Sequence, residues 1–152
     1  MKKIVLMLMM MVAFLNAQGD IKIMPALKLN VGHSYAEGVK RATQENKPML
    51  FISSRHTCKY CVILERTALS DPQIIKDLNK NFVTVIVYSD DGHVLPKELW
   101  RPGTPAIWFL DASGEPMYQP IMGSIPVKQF KGAMHIVKKE FAQRQKASFK
   151  KR

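Results

Sequence analysis

Three short apolar runs dominate the hydrophobic pattern of the chain and predict the strands of a sheet. Residues 49–53 (Met-Leu-Phe-Ile-Ser) and 82–88 (Phe-Val-Thr-Val-Ile-Val-Tyr) hardly alternate with polar residues, so we expect strands that are buried on both faces. The third run, 106–110, precedes a turn. Residues 115–121 should return from that turn as a hairpin partner at the sheet edge, because they contain two prolines. Residues 21–30 alternate weakly and predict an edge strand or an extended lead-in.

Apolar residues at helical spacing predict helices between and after these strands. A capping pattern, S-x-x-E, begins a helix over 34–46, and an amphipathic segment covers about 59–69. An Asp-Pro step begins a helix over 71–79, because Asp caps helix N-termini and Pro fits the first helical position. A final helix over 126–147 has its apolar positions at Val127, Phe130, Met134, Val137 and Phe141. Strands joined through a helix should be parallel, so this order predicts a three-layer α/β fold with a mixed sheet of about four or five strands flanked by helices.

The first residues form a segment of a different kind. Lys2 and Lys3 precede an apolar run of about a dozen residues, which ends near a small residue, Ala17, as is typical of a secretory signal peptide. We therefore expect residues 1–17 to be a signal peptide that is cleaved after Ala17, and the protein to be exported, to the periplasm if its source is a Gram-negative bacterium. An uncleaved membrane anchor is the alternative, but the run is shorter than the ~20 apolar residues that span a bilayer.

The remaining chain divides into three parts by composition. Residues 18–33 are an extended lead-in, 34–147 contain the predicted elements of one domain, and 148–152 are a basic tail. The formal net charge is +11. An exported protein rarely meets nucleic acid, and no aromatic residues are interleaved with the basic ones. We therefore expect a solvated basic face, with weak contact to an anionic membrane surface through the tail as the second interpretation.

The two cysteines, Cys58 and Cys61, directly follow the first buried strand, at the predicted start of a helix. A disulfide between them would close a very short loop and stabilise the fold weakly, so a redox role is favoured over a structural one. The helix dipole and the unpaired N–H groups at a helix N-terminus favour the thiolate form of Cys58. The basic side chains of Arg55, His56 and Lys59 should also hold its pKa below the free-cysteine value of about 8.5.

The motif Cys58-Lys59-Tyr60-Cys61, together with Gly103-Thr104-Pro105, resembles the thioredoxin superfamily. The similarity covers about residues 34–141 and points to exported proteins related to the thiol-transfer domain of transmembrane disulfide reductases. It rests further on the segments Asn46-Lys47-Pro48-Met49-Leu50, Asp71-Pro72, Asn81-Phe82-Val83, Phe109-Leu110-Asp111 and Gly114. The resemblance implies a thioredoxin-like fold, a cis Pro105 beside the dithiol, and no cofactor or metal other than the redox-active Cys58–Cys61 disulfide.

The implied function is that of a thiol–disulfide oxidoreductase acting on protein disulfides, in which Cys58 attacks and Cys61 resolves the mixed disulfide. Thr104, Pro105 and Tyr60 are the expected substrate-binding residues, with Thr104 pairing with a substrate peptide in a strand-like manner. The expected partners are protein thiols or disulfides and a membrane redox partner that resets the dithiol, and no nucleic acid.

Two departures from the family pattern bear on the direction of electron flow. Thr57 stands where many members have Trp, and Ile52 stands where many thioredoxins have a buried acid that assists deprotonation of the second cysteine. Proton transfer at Cys61 would then need water, Glu65 or another group. The missing acid and the basic surroundings favour an oxidant or isomerase, whereas the resemblance favours a reductase, so the direction stays open with a reductase slightly preferred.

Two alternatives to redox chemistry remain at this point. Cys58, Cys61 and His56 could supply three zinc ligands, although the chain has no second C-x-x-C motif and His56 precedes Cys58 by only two residues. A non-catalytic thioredoxin-like binding module would instead use the groove beside Thr104 and Pro105. Haem attachment is excluded, because Val62 and not His follows Cys61.

Overall fold

The computed structural model describes residues 22–24 and 28–150, which form a mixed sheet with helices on both of its faces. The strands are β1 Lys22–Met24, β2 Leu29–Gly32, β3 Met49–Ser54, β4 Val83–Tyr88, β5 Ala106–Leu110 and β6 Ile121–Met122. The α-helices are α1 Tyr35–Glu45, α2 Lys59–Arg66, α3 Pro72–Asn81 and α4 Val127–Lys150. Short 3₁₀ turns lie at Ala68–Ser70, Ser89–Asp91 and Lys97–Leu99.

The strand order in the sheet is β1-β2-β4-β3-β5-β6. β3 and β4 are parallel, with Met49 opposite Val83 and Ser54 opposite Tyr88, and β5 runs antiparallel to β3. The C-terminal ends of β3 and β4 therefore lie at the same sheet edge as the N-terminal end of β5. This edge brings together the segments that follow β3, follow β4 and precede β5.

The predicted fold class is confirmed, and the sheet of the described residues has six strands. The weakly alternating segment at 21–30 provides two antiparallel strands, β1 and β2, with Lys28 at a φ of 51° just before β2. The predicted hairpin strand over 115–121 is reduced to an isolated bridge between Leu110 and Pro116 and to the two residues of β6. Proline has no N–H to donate to a ladder, which explains the interruption.

The core consists of two apolar layers, one on each face of the sheet. On one face, β3 and β4 side chains such as Ile52 and Ile86 pack with residues of α2, α3 and α4, and on the other, Phe51 and Val85 pack with α1. β3, β4 and β5 are buried along their whole lengths, as their apolar sequences predict. The predicted apolar positions of α4 that are buried are Phe130, Met134, Val137 and Phe141.

The predicted helix starts are confirmed by the caps. Ser34 Oγ accepts a hydrogen bond from the N–H of Glu37 at 3.4 Å, and Asp71 Oδ1 accepts from the N–H groups of Gln73 and Ile74 at 3.0 Å each. α2 ends earlier than expected, because the backbone leaves the helical region at Thr67 (φ −113°, ψ −88°) and continues as a 3₁₀ turn.

The C-terminal end of the described chain is helical. α4 continues to Lys150, so the first residues of the predicted basic tail are helical. The predicted signal peptide and its cleavage after Ala17 lie outside the described residues. Within the described ranges, no helix is both long enough and apolar enough to cross a bilayer.

Candidate active site

The dithiol lies where the chain passes from β3 into α2. Cys58 is the N-cap residue of α2, with an extended backbone (φ −88°, ψ 119°), and its side chain is partly exposed. Cys61 is in the first turn of the helix and is fully buried. Both are free thiols. The sequence places them this way because the apolar run of β3 fixes one end of the loop and the buried side of α2 fixes the other.

The segment before β5 lies against the first cysteine. The Thr104–Pro105 peptide bond is cis, as the family resemblance implied, and the Cys58 thiol donates a hydrogen bond to the carbonyl oxygen of Thr104 with a sulfur–oxygen distance of 3.3 Å. The carbonyl of Pro105 accepts from the N–H of Gly123 at 2.8 Å, which ties this segment to the start of the last loop. The structure thus brings together four of the predicted site residues: Cys58, Cys61, Thr104 and Pro105.

The environment of the two sulfurs makes them chemically different. Burial alone would raise the pKa of Cys58, but hydrogen bonds with the side chains of Cys61 and Thr104 and with the backbone of Cys61 and Tyr60 outweigh it, so the pKa of Cys58 is lowered. Burial raises the pKa of Cys61, and its hydrogen bond with Cys58 acts in the same direction, against smaller opposing contributions from Ser54 and Thr104. Cys58 is therefore the more acidic thiol of the pair, and the proton of Cys61 is the harder one to remove.

Tyr60, which lies between the two cysteines in the chain, is 58 % exposed. Met122, which pairs with Ala106 immediately after Pro105, is 45 % exposed. Exposed apolar side chains are therefore present on α2 and on the β5–β6 pair, the two elements that carry or adjoin Cys58 and Pro105.

The predicted pKa-tuning residues are placed in different ways. Arg55 precedes the dithiol and Lys59 lies between its two cysteines, and both side chains are exposed. His56 faces an acid instead of the sulfur, since its Nε2 lies 2.9 Å from Asp91 Oδ2 and its ring stacks on Tyr88 with 4.0 Å between centroids. The hydrogen bond with Asp91 is the largest cause of a raised pKa for His56.

An acidic turn that the sequence analysis did not single out lies at the same edge. Asp90 Oδ2 accepts hydrogen bonds from the N–H groups of His56 at 2.8 Å and Thr57 at 3.3 Å. The sequence signal was available, because Asp90 and Asp91 come one residue after the second of two buried strands that a helical connection makes parallel. The carboxyl ends of such strands meet at one edge.

The position of the family's buried acid is filled by Ile52, which is 1 % exposed within the core. Glu65, one turn beyond Cys61, accepts a hydrogen bond from the Tyr88 hydroxyl at 3.0 Å. Burial and the Glu65 carboxylate raise the pKa of Tyr88, so this hydroxyl stays protonated and donates. Glu65 is thus engaged with Tyr88, and no carboxylate occupies position 52.

The ligand set proposed for zinc does not assemble among the described residues. His56 has its Nε2 on Asp91, and the group of potential ligand atoms within 4.8 Å of one another consists of His56, Asp90 and Asp91, without either sulfur. All three are exposed, and their oxygen and nitrogen atoms bond to one another and to the backbone of the loop. These side chains hold the loop before Cys58 through hydrogen bonds.

These features define a class of protein: an α/β fold that presents a C-x-x-C dithiol at a helix N-terminus, facing a cis-proline segment. The chain belongs to the thioredoxin-like family, since the family model described as a thioredoxin-like domain matches residues 35–138, more than half of the chain. Membership supports thiol–disulfide oxidoreductase chemistry at the level of the family.

Solved structures agree with this fold. A thioredoxin from Thermus thermophilus is 24% identical, with a TM-score of 0.59 over 72% of this chain and 86% of that one. A DsbH oxidoreductase is 16% identical, with a TM-score of 0.55 over 86% of this chain and 98% of that one. The C-terminal domain of DsbD from Neisseria meningitidis in its reduced form is 18% identical, with a TM-score of 0.54 over 66% of this chain and 90% of that one. A comparison with curated protein sequences finds no match.

Proposed function

We propose that this protein is an exported disulfide reductase that transfers two electrons from the Cys58–Cys61 dithiol to disulfides of other proteins. The observation that carries the proposal is the arrangement of the two sulfurs. Cys58 is partly exposed at the N-terminus of α2, 3.3 Å from the oxygen of Thr104, and Cys61 is buried one turn behind it.

The reaction follows from this arrangement in two steps. The Cys58 thiolate attacks one sulfur of the substrate disulfide, whose S–S bond breaks, and the first substrate sulfur leaves as a thiolate that takes a proton from solvent. Cys61 then loses its proton to water or another base and attacks the Cys58 sulfur. The mixed disulfide breaks and releases the second substrate thiol. The protein is left with a Cys58–Cys61 disulfide, and the substrate has gained two electrons and two protons.

The placement of His56 removes one argument for an oxidant. A cation beside Cys58 would stabilise the thiolate, and hence the reduced protein, and so make the disulfide more oxidising. His56 is paired with Asp91 and does not face the sulfur. This pairing offsets one of the basic side chains that, in the sequence alone, pointed toward an oxidant.

The substrate is proposed to be a protein segment that lies along residues 103–105 in an extended conformation. Thr104 would offer backbone groups for strand-like pairing, Pro105 would shape the groove, and Tyr60 would contact the flanking side chains. The oxidised dithiol would be reset by a membrane redox partner, which delivers two electrons by the same exchange reaction in reverse. Export rests on the predicted signal peptide at 1–17.

Trapping of the mixed disulfide tests the proposal. The Cys61→Ser variant cannot resolve, so it should accumulate covalent complexes with disulfide-containing proteins that dithiothreitol releases, whereas the Cys58→Ser variant should accumulate none. If Cys61→Ser traps nothing, the exchange mechanism is wrong. Partner binding that is unchanged in Cys58→Ser would show a binding module instead.

A further inference from the structure

The segment that leads into the nucleophile is held by one carboxylate from another part of the chain. Residues 55–57 connect β3 to Cys58 as a turn, in which the N–H of Cys58 donates to the Arg55 carbonyl at 3.2 Å. The two amides between them, those of His56 and Thr57, point outwards from this turn. Both donate to the same atom, Asp90 Oδ2, at 2.8 and 3.3 Å.

Asp90 is itself anchored to the sheet. It belongs to the 3₁₀ turn Ser89–Asp91, which begins directly at the end of β4, where Tyr88 lies opposite Ser54. His93 closes this turn, because its N–H donates to the Tyr88 carbonyl at 3.2 Å and its Nδ1 accepts from the Tyr88 N–H at 3.0 Å. The carboxylate therefore has a fixed position relative to β3 and β4.

We propose that Asp90 is a positioning residue for the dithiol, which holds residues 56 and 57 by their amides and thereby places the Cys58 sulfur at the N-terminus of α2. In that place the sulfur is close to the backbone of Tyr60 and Cys61, whose hydrogen bonds favour the thiolate. Without the Asp90 acceptor, the turn loses both of its anchors, and the sulfur no longer has a single position against the helix. The inference rests on the proposed role of Cys58 as the attacking thiol.

The position of the Cys58 sulfur and the charge of Asp90 have opposite effects on the pKa of Cys58, so two variants of Asp90 can separate them. A carboxylate near Cys58 disfavours a second negative charge and by itself raises the pKa of that thiol. Holding the sulfur against the helix N-terminus lowers it. Asp90→Asn removes the charge but keeps an oxygen acceptor for the amides, whereas Asp90→Ala removes both.

The test is the pKa of Cys58 in the reduced protein, measured from the pH dependence of its alkylation by iodoacetamide. Cys58 reacts first, because Cys61 is buried. In Asp90→Ala we expect the pKa to rise by about half a unit or more towards the free-cysteine value, with about a threefold slower reaction at a pH below the pKa. In Asp90→Asn it should stay unchanged or fall.

Asp111→Ala is the matched control. Asp111 also accepts from turn amides through one oxygen, those of Ser113 and Glu115, but it follows Leu110 at the opposite sheet edge, where β5 pairs with Met49. Its replacement should cost stability and leave the pKa of Cys58 unchanged. The proposal is wrong if Asp90→Ala behaves like Asp111→Ala, or if Asp90→Asn raises the pKa of Cys58 as much as Asp90→Ala does.

A measurement on the unaltered protein covers the case in which Asp90→Ala does not fold. The amide protons of His56 and Thr57 should shift in nuclear magnetic resonance spectra as the Asp90 carboxyl titrates, since a charged acceptor draws them downfield. Amide shifts that do not follow the Asp90 carboxyl overturn the proposal. A protein that passes these tests but traps no mixed disulfide would contradict the proposed function alone, because the pKa of Cys58 is measured without any substrate.

Discussion

At the scale of single residues, the two cysteines have different roles because one turn of α2 separates a partly exposed sulfur from a buried one. Cys58 caps α2 and is reached by solvent, whereas Cys61 lies under it with no exposed surface. The first attack therefore falls to Cys58, and the second step requires that a buried thiol lose its proton. Ile52 cannot take that proton, so the resolving step depends on water or on a group outside position 52.

The pairing of His56 with Asp91 gives a pH-dependent prediction. In Asp91→Asn, the pKa of His56 should fall towards its usual value of about 6.5, because the hydrogen bond with Asp91 is the main cause of its elevation. A raised folded-state pKa means that the pair stabilises the fold below about pH 6.5 and that this contribution is lost as the pH rises through the folded-state value.

The histidine ring signals, followed by nuclear magnetic resonance as the pH is raised, check this prediction. If the titration of His56 is the same in both proteins, the ion pair contributes nothing in solution and its stacking on Tyr88 must be explained without it.

At the scale of elements, the packing of α1 on the sheet requires a close approach of the helix backbone to β3 and β4. Gly38 in α1 is buried, and a Cβ atom there would lie 2.5 Å from Val85 Cγ2 and 2.8 Å from Met49 Sδ. The helix can pack at this distance only because position 38 has no side chain. α1 does not carry the dithiol, but it covers the strands that end at the site.

Gly38→Ala should therefore destabilise the protein, by about 1–3 kcal/mol, because the core must shift to admit the methyl group. Gly132→Ala in α4 is the control, since nothing lies within 4 Å of its added Cβ. There the higher helix propensity of alanine should stabilise the protein by about 0.5–1 kcal/mol. Urea unfolding of the two variants measures both effects. Equal stability of Gly38→Ala and the parent protein would contradict the close packing.

The elements that sequence predicts well here are those with local signals. The capped helix starts at Ser34 and Asp71, and the apolar strands β3 and β4, follow from residues that are neighbours in the chain. The hairpin strand over 115–121 was predicted less well. Its pairing with β5 depends on hydrogen bonds across the sheet, and two prolines interrupt them. Asp90 was missed because its partners, His56 and Thr57, are more than 30 residues away.

At the scale of the whole molecule, the basic charge is concentrated on the last helix. Beyond Phe141, the described side chains of α4 are exposed or half-buried and include three basic residues, Arg144, Lys146 and Lys150. Arg144 forms an ion pair with Glu140 at 2.9 Å. This end of α4 offers positive charge on the face of the sheet opposite α1.

We expect this charge to give weak binding to anionic lipid surfaces. Each lysine near such a surface contributes about 1 kcal/mol, so replacing Lys146 and Lys150 together by Gln should weaken binding to phosphatidylglycerol vesicles by about tenfold or more. Cosedimentation at low ionic strength measures this. Lys40→Gln with Lys97→Gln makes the same charge change on the other face of the sheet and is the control. Equal losses in both double variants would show that only net charge matters.

The reduction potential of the Cys58–Cys61 pair tests the central claim most directly. Equilibration with defined ratios of reduced and oxidised dithiothreitol, read by alkylation of the free thiols, gives its value. A reversible couple with a potential of about −270 mV is the expected result for a reductase. A potential of about −120 mV would make the protein an oxidant, and one below about −300 mV would make the bond a structural disulfide. Either would contradict the proposed function.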